Sequence, residues 1–267
     1  FILKDTHHLV HRLKSFTFIG CPLMITGDVA SLYTNMVNER SIVEAKRKLS
    51  SYSNNENQIH FILSLLRHSL THNTFSFYGK NYIQTSGCAM GKSYSPTLAN
   101  IYLESLDQFI TDNDKVLFYG RYIDDILMVW NGVETDFVLF SNEINKLIPR
   151  ISIEFSIAVE KINFLDLTLY KNQNNLHHHT YFKPTNYFQY LHPKSHHPMH
   201  IYKGIAKSQF IRFARLSSNI ESFDSTSLFF IHKMKERGYN RIKLNKIYKD
   251  IRKKILDNMP NDKPKAK

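Results

Sequence analysis

Asp124 and Asp125 are adjacent carboxylates in a segment that predicts a β-hairpin. FYGR and Tyr122-Ile123 precede them and ILMVW follows, and these are mostly β-forming residues. Since Asp tolerates turn backbone, we expect residues 118–123 and 126–130 to pair antiparallel across the two acids. Two like charges side by side are costly to bury without a cation, which favours either a solvated turn or a Mg²⁺ site. Asp-Asp is also common in surface turns, so the choice depends on the residues that accompany it.

Asp28 is a third carboxylate, and it ends an apolar strand in TGDVASLYTNM. Across a sheet it could join Asp124 and Asp125, and three acids suit a two-metal centre. Two Mg²⁺ ions about 4 Å apart can lower the pKa of an attacking 3′-hydroxyl and neutralise a leaving pyrophosphate. A lone strand Asp is usually structural or a cap, so Asp28 gains significance only through its partners.

The elements that must position these acids alternate between helices and strands. Adjacent antiparallel strands favour an α+β fold, with an antiparallel sheet and helices on one face, over a doubly wound sheet. Ser95-Pro96 predicts a helix start, with Ser95 as N-cap. The predicted strands are residues 23–33, the hairpin TFSFYGKNYIQ, the Asp-Asp hairpin, ISIEFSIAV and INFLDLTLY; the predicted helices run from Asn38, over 57–72, from Ser95 to Thr111 and over 135–148.

Charge divides the chain into two predicted domains, residues 1–175 and 176–267. Residues 1–180 hold 16 Lys+Arg and 17 Asp+Glu, whereas residues 181–267 hold 19 and 6. Turn residues cluster at 171–180, and three helices are predicted beyond them, with Asp224 and Gly238 as the start and stop of the middle one. The tail NDKPKAK is predicted to be disordered.

The basic C-terminal region indicates a polyanion partner, with nucleic acid as the leading candidate. Cations three to five residues apart can contact phosphates while apolar residues pack elsewhere; they are Lys203, Lys207, Arg212 and Arg215. Four histidines, at 192, 196, 197 and 200, raise the possibility of zinc, but Pro193 and Pro198 interrupt a shared helical face, so surface or phosphate-contacting histidines are expected. Cys21 and Cys88 are expected to be buried, inert thiols.

Several motifs, taken in order, resemble those of reverse transcriptases, most closely the Penelope-like retroelement group. The motifs are GDVASLYTN, GCAMGKSYSPTLAN, YIDD and INFLDL, followed by YFKPTNYFQYLH, SHHPMH and GIAKSQFIRFARLSSN. The resemblance runs from about residue 4 to about residue 240. It implies a right-hand polymerase palm, followed by a mostly helical basic thumb that includes a helix-turn-helix-like stretch.

The resemblance also implies roles for single residues. Asp28, Asp124 and Asp125 would be catalytic metal ligands for two Mg²⁺ ions, with Mn²⁺ as a substitute. Tyr33, Gly91, Ser95 and Tyr122 would bind the nucleotide, and the Tyr33 ring would collide with a ribose 2′-hydroxyl. Phe164, Leu165 and Asp166 would form the primer grip, although core packing explains that segment equally well. The implied partners are an RNA template, a DNA primer and dNTPs.

The sequence therefore predicts an RNA-directed DNA polymerase of a retroelement, with a catalytically inactive nucleic-acid-binding remnant as the alternative. An RNA-dependent RNA polymerase is disfavoured, because Tyr33 stands where such enzymes usually carry an acid. Only 27 residues precede Asp28, so the fingers are expected to be largely missing, and no GIY-YIG-type nuclease segment follows. No apolar run reaches the length of a membrane span, and we expect a soluble, intracellular and nuclear protein.

Overall fold

The computed structural model describes residues 1–258, which form two compact units. The first unit comprises residues 1–4 and 18–159. The second comprises residues 5–17, which include helix α1 (Thr6–Leu13), and the chain from Glu160 onward. The units thus divide at Val159/Glu160 rather than at the predicted 175/176, and α1 was not predicted.

The first unit is built around a four-stranded antiparallel sheet, whose strands are β1 (Leu23–Val29), β4 (Val116–Tyr122), β5 (Asp125–Trp130) and β6 (Ile153–Ala158). Their order in the sheet is β4-β5-β1-β6. The inner strands β1 and β5 are mostly apolar and buried, whereas only Ile153 of the edge strand β6 is buried. The remaining strands of the unit form the predicted hairpin, β2 (Thr74–Phe77) and β3 (Lys80–Ile83).

Helices pack on this sheet, as the sequence predicts. Alternate residues of β5, namely Ile126, Met128 and Trp130, join helical side chains such as Tyr102 and Phe137 in one buried cluster. The helices are α2 (Leu32–Asn35), α3 (Asn38–Tyr52), α4 (Glu56–Thr71), α5 (Ser95–Tyr102), α6 (Glu104–Thr111) and α7 (Glu134–Leu147). This core holds the ends of β1, β4 and β5 in place.

The single helix predicted from Ser95 to Thr111 is wrong in two details. It breaks at Leu103, which ends α5 and caps α6. Ser95 is the first helical residue rather than the N-cap, because its hydroxyl donates to the Ala89 carbonyl at 2.6 Å instead of capping the helix. Pro96 lies in the first turn, where its missing N–H is not needed.

The second unit contains a three-stranded antiparallel sheet where the sequence predicts one strand and a boundary. The predicted strand INFLDLTLY is split by a turn at Leu165, whose φ is +51°, into β7 (Lys161–Phe164) and β8 (Leu167–Asn172). Residues 171–180 do not separate domains, since they form the tip of a hairpin and strand β9 (Asn175–Thr180). The polar residues there mark the turn.

Three C-terminal helices complete the second unit, as predicted: α8 (Met199–Arg215), α9 (Ile220–Glu236) and α10 (Arg241–Asn258). Asn219, not Asp224, caps α9, since the Asn219 side chain accepts the Ser222 N–H at 2.8 Å. Asp224 lies inside α9 and pairs with Arg252 at 2.9 Å. Gly238 does end α9: its φ is +94°, and the N–H of Tyr239 bonds back to Met234 at 3.0 Å.

Two further sequence predictions have a mixed outcome. Cys88 is buried as predicted, but Cys21 is exposed. The predicted disordered tail lies outside the described residues. Across residues 1–258, none of the helices combines the length and apolarity that crossing a membrane requires.

Candidate active site

Asp28 lies where three strands of the first sheet meet. Its Cα pairs with that of Asp125 in β5 on one side and with that of Glu154 in β6 on the other. The next residue, Val29, donates its N–H to the Asp124 carbonyl at 3.1 Å, which ties the end of β1 to the hairpin turn. The fold thus brings together the backbones of all three predicted aspartates.

The Asp-Asp hairpin turns one residue earlier than predicted. Tyr122 pairs directly with Asp125, so the turn consists of Ile123 and Asp124, and Asp125 is the first residue of β5. Ile123 has a φ of +56°, a strained conformation for a β-branched residue. The surrounding structure must therefore hold this turn in place.

Arg121 supplies that support. Its guanidinium donates to the Ile123 carbonyl at 2.8 Å and to the Asn100 side chain at 2.9 Å. Both its own side chain and that of Asp107 are buried, and they form an ion pair at 2.6 Å. Burial alone would lower the pKa of Arg121, but the hydrogen bond and charge of Asp107 outweigh burial and raise it.

Tyr119 completes this buried network. Its hydroxyl donates to Asp107 at 2.7 Å, and burial, followed by the charge of Asp107, raises the pKa of Tyr119 well above its ordinary value. Sequence reasoning missed the network. The available signal was a charged residue where an apolar one is expected. Asp107 lies at helical spacing from Leu103 and Ile110, and Arg121 interrupts FYGRYI.

Negatively charged side chains crowd together at the ends of these strands. Burial, then the charges of Asp124 and Glu154, raises the pKa of Asp28. Burial, then Asp124, Cys88 and Tyr122, raises the pKa of Tyr33. The predicted metal ligand Asp28 and the predicted nucleotide contact Tyr33 are therefore both close to Asp124. Glu154 was not predicted, because its position beside Asp28 depends on the β1–β6 register.

A divalent cation fits this donor set in chemistry, since carboxylate oxygens are the ligands that Mg²⁺ prefers and a cation would relieve the repulsion on Asp28. Within residues 1–258, however, no three His, Cys, Asp or Glu side chains form a ready-made metal site. Asp28 and Asp124 could hold an ion only with further ligands, which phosphate oxygens of a substrate can supply.

The loop before α5 packs directly against Tyr33. The Tyr33 carbonyl accepts the Cys88 N–H at 2.7 Å. Gly87 has a φ of +84°, and a Cβ there would lie 2.7 Å from the same carbonyl oxygen. Gly87 is therefore needed both for its conformation and for the close approach of the two segments. This residue was not singled out from the sequence.

Two predicted nucleotide contacts lie in this loop and at the start of α5, Gly91 and Ser95, and their surroundings differ. Gly91 has a φ of +88° and open space where a Cβ would be, in agreement with room for a ligand beside the backbone. Ser95 is buried, donates to the Ala89 carbonyl and accepts a hydrogen bond from the Cys88 thiol at 3.1 Å. The Ser95 side chain thus holds the loop on α5 and is not available to a nucleotide.

In the second unit, the predicted primer grip is a tight turn. Phe164 is buried, whereas the Asp166 side chain is half exposed and pairs with Arg212 at 2.8 Å. Thr6 of α1 also donates to Asp166, at 3.3 Å. Asp166 is therefore not simply a solvated residue, since it links the turn to α1 and α8.

The four predicted nucleic-acid-binding cations of α8 do not share one face. Lys203, Lys207 and Arg215 are exposed and are spaced by multiples of four, so they follow one row of the helix. Arg212 lies off that row, where it pairs with Asp166. We call Lys203, Lys207 and Arg215 the basic row.

One protein-family model matches part of the second unit. A family model described as "Animal helix-turn-helix domain" matches residues 189–249, which span α8, α9 and part of α10. A search of curated proteins finds no match.

Solved polymerases resemble the chain in fold. Telomerase from Candida albicans, in complex with the TWJ fragment of telomeric RNA, matches with a TM-score of 0.63 and 13% identity, over 93% of this chain and 45% of that one. Apo telomerase from Candida tropicalis matches with a TM-score of 0.57 and 10% identity, over 94% and 47%. The RNA-dependent RNA polymerase of a human picobirnavirus matches with a TM-score of 0.52 and 9% identity, over 84% and 43%.

At such low identities the likeness shows the fold alone. The chain spans less than half the length of each of these three structures. Its mixed antiparallel sheets and helical C-terminal part nevertheless match both kinds of polymerase. The chain has a reverse-transcriptase-like nucleic-acid polymerase fold.

Proposed function

We propose that this protein is an RNA-directed DNA polymerase, which transfers a deoxynucleotide to the 3′-hydroxyl of a primer. The observation that carries the proposal is the position of Asp28, at the end of β1 and beside Asp124, in a sheet with a polymerase fold. Two carboxylates at the ends of neighbouring strands form a site for substrate-bound divalent ions.

In the proposed reaction, the primer 3′-oxygen forms a bond with the α-phosphorus of a dNTP and pyrophosphate leaves. Asp28 and Asp124 would hold two Mg²⁺ ions, with Asp125 as a further ligand and Mn²⁺ as a substitute. These ions, when bound, would lower the pKa of the attacking hydroxyl and neutralise the leaving pyrophosphate. Arg121 would keep the turn that carries Asp124 in place through the Ile123 carbonyl.

Tyr33 supports DNA synthesis over RNA synthesis. Its half-buried ring is close to Asp124, and its backbone carbonyl is held by the loop that contains Gly87. An aromatic ring beside the bound sugar would exclude a ribose 2′-hydroxyl by steric collision. Tyr122, which also affects the pKa of Tyr33, would line the same nucleotide site.

The proposed partners are an RNA template, a DNA primer and dNTPs. One telomerase that resembles this chain was solved with telomeric RNA, which supports an RNA partner. The motif order supports a Penelope-like retroelement as the source, and synthesis on such an element would place the protein in the nucleus.

Primer extension on poly(rA)/oligo(dT) tests this proposal. With Mg²⁺ or Mn²⁺, the chain should incorporate dTTP, and Asp124→Asn should lower the rate roughly 100-fold or more, since it removes a charge that stabilises the reacting groups. Asp114→Asn, which changes an exposed acid in the loop before β4, is the matched control and should retain the rate. Equal rates for Asp124→Asn and Asp114→Asn would refute the assigned site.

A second candidate function is nucleic-acid binding without catalysis. The helix-turn-helix match at residues 189–249 and the strongly basic C-terminal region favour it. This function predicts salt-sensitive binding of nucleic acid that ignores Mg²⁺ and survives Asp28→Asn, together with no primer extension under either metal. Extension that depends on Asp28 would exclude it.

A further inference from the structure

The second unit contains a positively charged cleft that the proposed reaction does not use. Its volume is about 600 Å³, and it lies between α1, the β8–β9 hairpin and the end of α8. The residues that define it, here called the basic cleft, are His7, His11, Lys14, His177, Arg215 and Ser217. Of the described residues that line it, none is Asp or Glu, so nothing in the lining neutralises Lys14 and Arg215.

Two polar atoms of the cleft lining lack a partner. The Ser217 hydroxyl oxygen and the His177 Nδ1 are buried, and neither makes a hydrogen bond within the protein. Buried polar atoms are normally hydrogen-bonded, so each such exception calls for an explanation. A hydroxyl and an imidazole N–H are both donors that suit the oxygens of a phosphate.

Hydrogen bonds connect the segments that form the floor of the cleft. Ser218 donates its N–H to the His178 carbonyl at 2.9 Å, and the His178 N–H donates to the Ser218 hydroxyl at 2.6 Å. The His178 ring donates from Nδ1 to the Leu216 carbonyl at 2.9 Å. Burial first, and then nearby groups that include His177 and Lys14, lowers the pKa of His178. Lys14 and Arg215 therefore lie beside a hydrogen-bonded floor that carries no compensating negative charge.

We infer that the basic cleft binds backbone phosphates of a nucleic-acid strand, with Lys14 and Arg215 as charge partners and Ser217 and His177 as hydrogen-bond donors. Arg215 is also the last cation of the basic row, whose members lie about 6 Å or more apart along α8. Cations continued over that length suit a ligand with several phosphates rather than one. The inference rests on the nucleic-acid binding in the proposed function, but not on catalysis.

Lys14→Ala tests the cleft, because Lys14 belongs to it and not to the basic row. Fluorescence anisotropy of a labelled RNA–DNA hybrid, in EDTA and at several salt concentrations, gives affinity without catalysis. Losing one phosphate contact should make the negative slope of log K against log[salt] shallower by about 0.7 to 0.9, and weaken binding roughly five- to eightfold at 0.1 M salt. Lys46→Ala, at an exposed lysine of α3 in the first unit, removes the same charge elsewhere and is the matched control.

Ser217→Ala is a second variant with a readout that a structural role would not give. Since the Ser217 hydroxyl has no partner in the protein, the variant should weaken hybrid binding severalfold without lowering the melting temperature. A lower melting temperature with unchanged binding would assign the hydroxyl to stability and count against the cleft.

Competition separates the two possible sources of phosphate. If the cleft serves a strand, Lys14→Ala should weaken hybrid binding while pyrophosphate and dTTP compete poorly with the wild-type complex. If Lys14→Ala and Lys46→Ala bind the hybrid with the same affinity and salt slope, the inference is wrong. If Lys14→Ala weakens only pyrophosphate or dTTP binding, the ligand is a free phosphate compound and the strand assignment is overturned.

Primer extension by the same proteins distinguishes this inference from the proposed function. A Lys14 effect on binding, in a chain that extends no primer, would refute polymerase activity and leave the cleft assigned. If the wild-type chain extends a primer but Lys14→Ala and Lys46→Ala bind the hybrid with equal affinity, polymerase activity stands and the assignment of the cleft is refuted.

Discussion

The surroundings of Asp28 raise the pKa of its carboxyl group, so ionisation is less favourable in the folded protein than in the unfolded chain. Partial desolvation of this otherwise exposed side chain is the largest cause, and the charges of Asp124 and Glu154 add to it. A cation bound beside Asp28 and Asp124 would relieve this repulsion.

Asp28→Asn should therefore stabilise the metal-free protein at neutral pH. A carboxyl whose pKa is raised in the folded state stabilises the fold below its unfolded pKa, and that stability is lost as pH rises through the folded pKa. At pH 7 the ionised Asp28 costs free energy, and Asn removes that cost. Because Asp28 is exposed, we expect a gain of less than about 1 kcal/mol.

Urea unfolding from pH 3 to pH 7 checks this expectation. The gain should vanish at acid pH, and Mg²⁺ should stabilise the wild type more than the variant if it binds there. Asp114→Asn, which changes an exposed acid in the loop before β4, should show no comparable pH-dependent gain. A variant less stable than wild type at pH 7 would contradict the repulsion at Asp28.

Among single residues, sequence reasoning singled out the three acids whose backbones the sheet brings together, but not the residues that support them. Asp28, Asp124 and Asp125 stand out because carboxylates interrupt apolar strands. Gly87, Arg121 and Glu154 act through contacts with residues distant in sequence, namely Tyr33, Asp107 and Asp28. Such contacts depend on the register and packing of elements, which a local pattern does not specify.

At the scale of elements, the hairpin of β4 and β5 depends on a buried ion pair. The Arg121–Asp107 pair joins the end of β4 to α6, and Arg121 reaches on to the turn at Ile123. Each oxygen of the Asp107 carboxylate accepts from Arg121, and one also accepts from Tyr119. Because its hydrogen bonds are satisfied, the pair is sensitive to the loss of either partner.

Asp107→Asn should destabilise the protein by roughly 3–5 kcal/mol, because it leaves the buried Arg121 charge uncompensated. Chemical denaturation measures the loss. The matched control is Asp136→Asn, which breaks the exposed Lys115–Asp136 pair and should cost no more than about 1 kcal/mol.

A double variant tests the cause of that loss. Asp107→Leu with Arg121→Met replaces both charges by apolar groups of similar size, and should be more stable than Asp107→Asn. Equal losses for Asp107→Asn and Asp136→Asn would mean that the buried pair contributes no more than a surface pair.

Elements with strong local signals agree with the sequence, and elements set by distant contacts do not. The helix from Asn38, the β2–β3 hairpin and the stop at Gly238 follow from periodicity and turn residues. The strand predicted over INFLDLTLY missed the turn at Leu165 because the apolar alternation continues through it. The start of α9 was misplaced because Asp224 serves an ion pair. Helix α1, which is only eight residues long, was not predicted.

At the scale of the whole molecule, charge is separated along the chain. Residues 1–180 are nearly neutral, whereas residues 181–267 carry 19 Lys+Arg against 6 Asp+Glu. The compact units divide at Val159/Glu160 and not where the charge balance changes. Charge density bears on which partners a surface attracts, whereas the unit boundary follows from packing, so the two need not coincide.

The basic row should bind a nucleic-acid duplex through its backbone, with little dependence on base sequence. Lys203→Ala with Lys207→Ala removes two exposed cations of α8 and should make the negative slope of log K against log[salt] shallower by about 1.4 to 1.8. Two hybrids of equal length and unrelated sequence should lose affinity to the same extent. Anisotropy titrations over a range of salt concentrations measure both quantities.

Arg212→Ala is the informative control for this prediction, since it removes a cation from the same helix. Its charge is already paired with Asp166 at 2.8 Å, so the salt slope should change much less than the loss of a free cation would cause. If Arg212→Ala made the negative slope shallower by as much as the loss of Lys207, the Arg212–Asp166 ion pair would have to open when the nucleic acid binds. If the double lysine variant weakened one hybrid and spared the other, α8 would be reading bases, and a thumb that grips the backbone by charge would be the wrong description of the second unit.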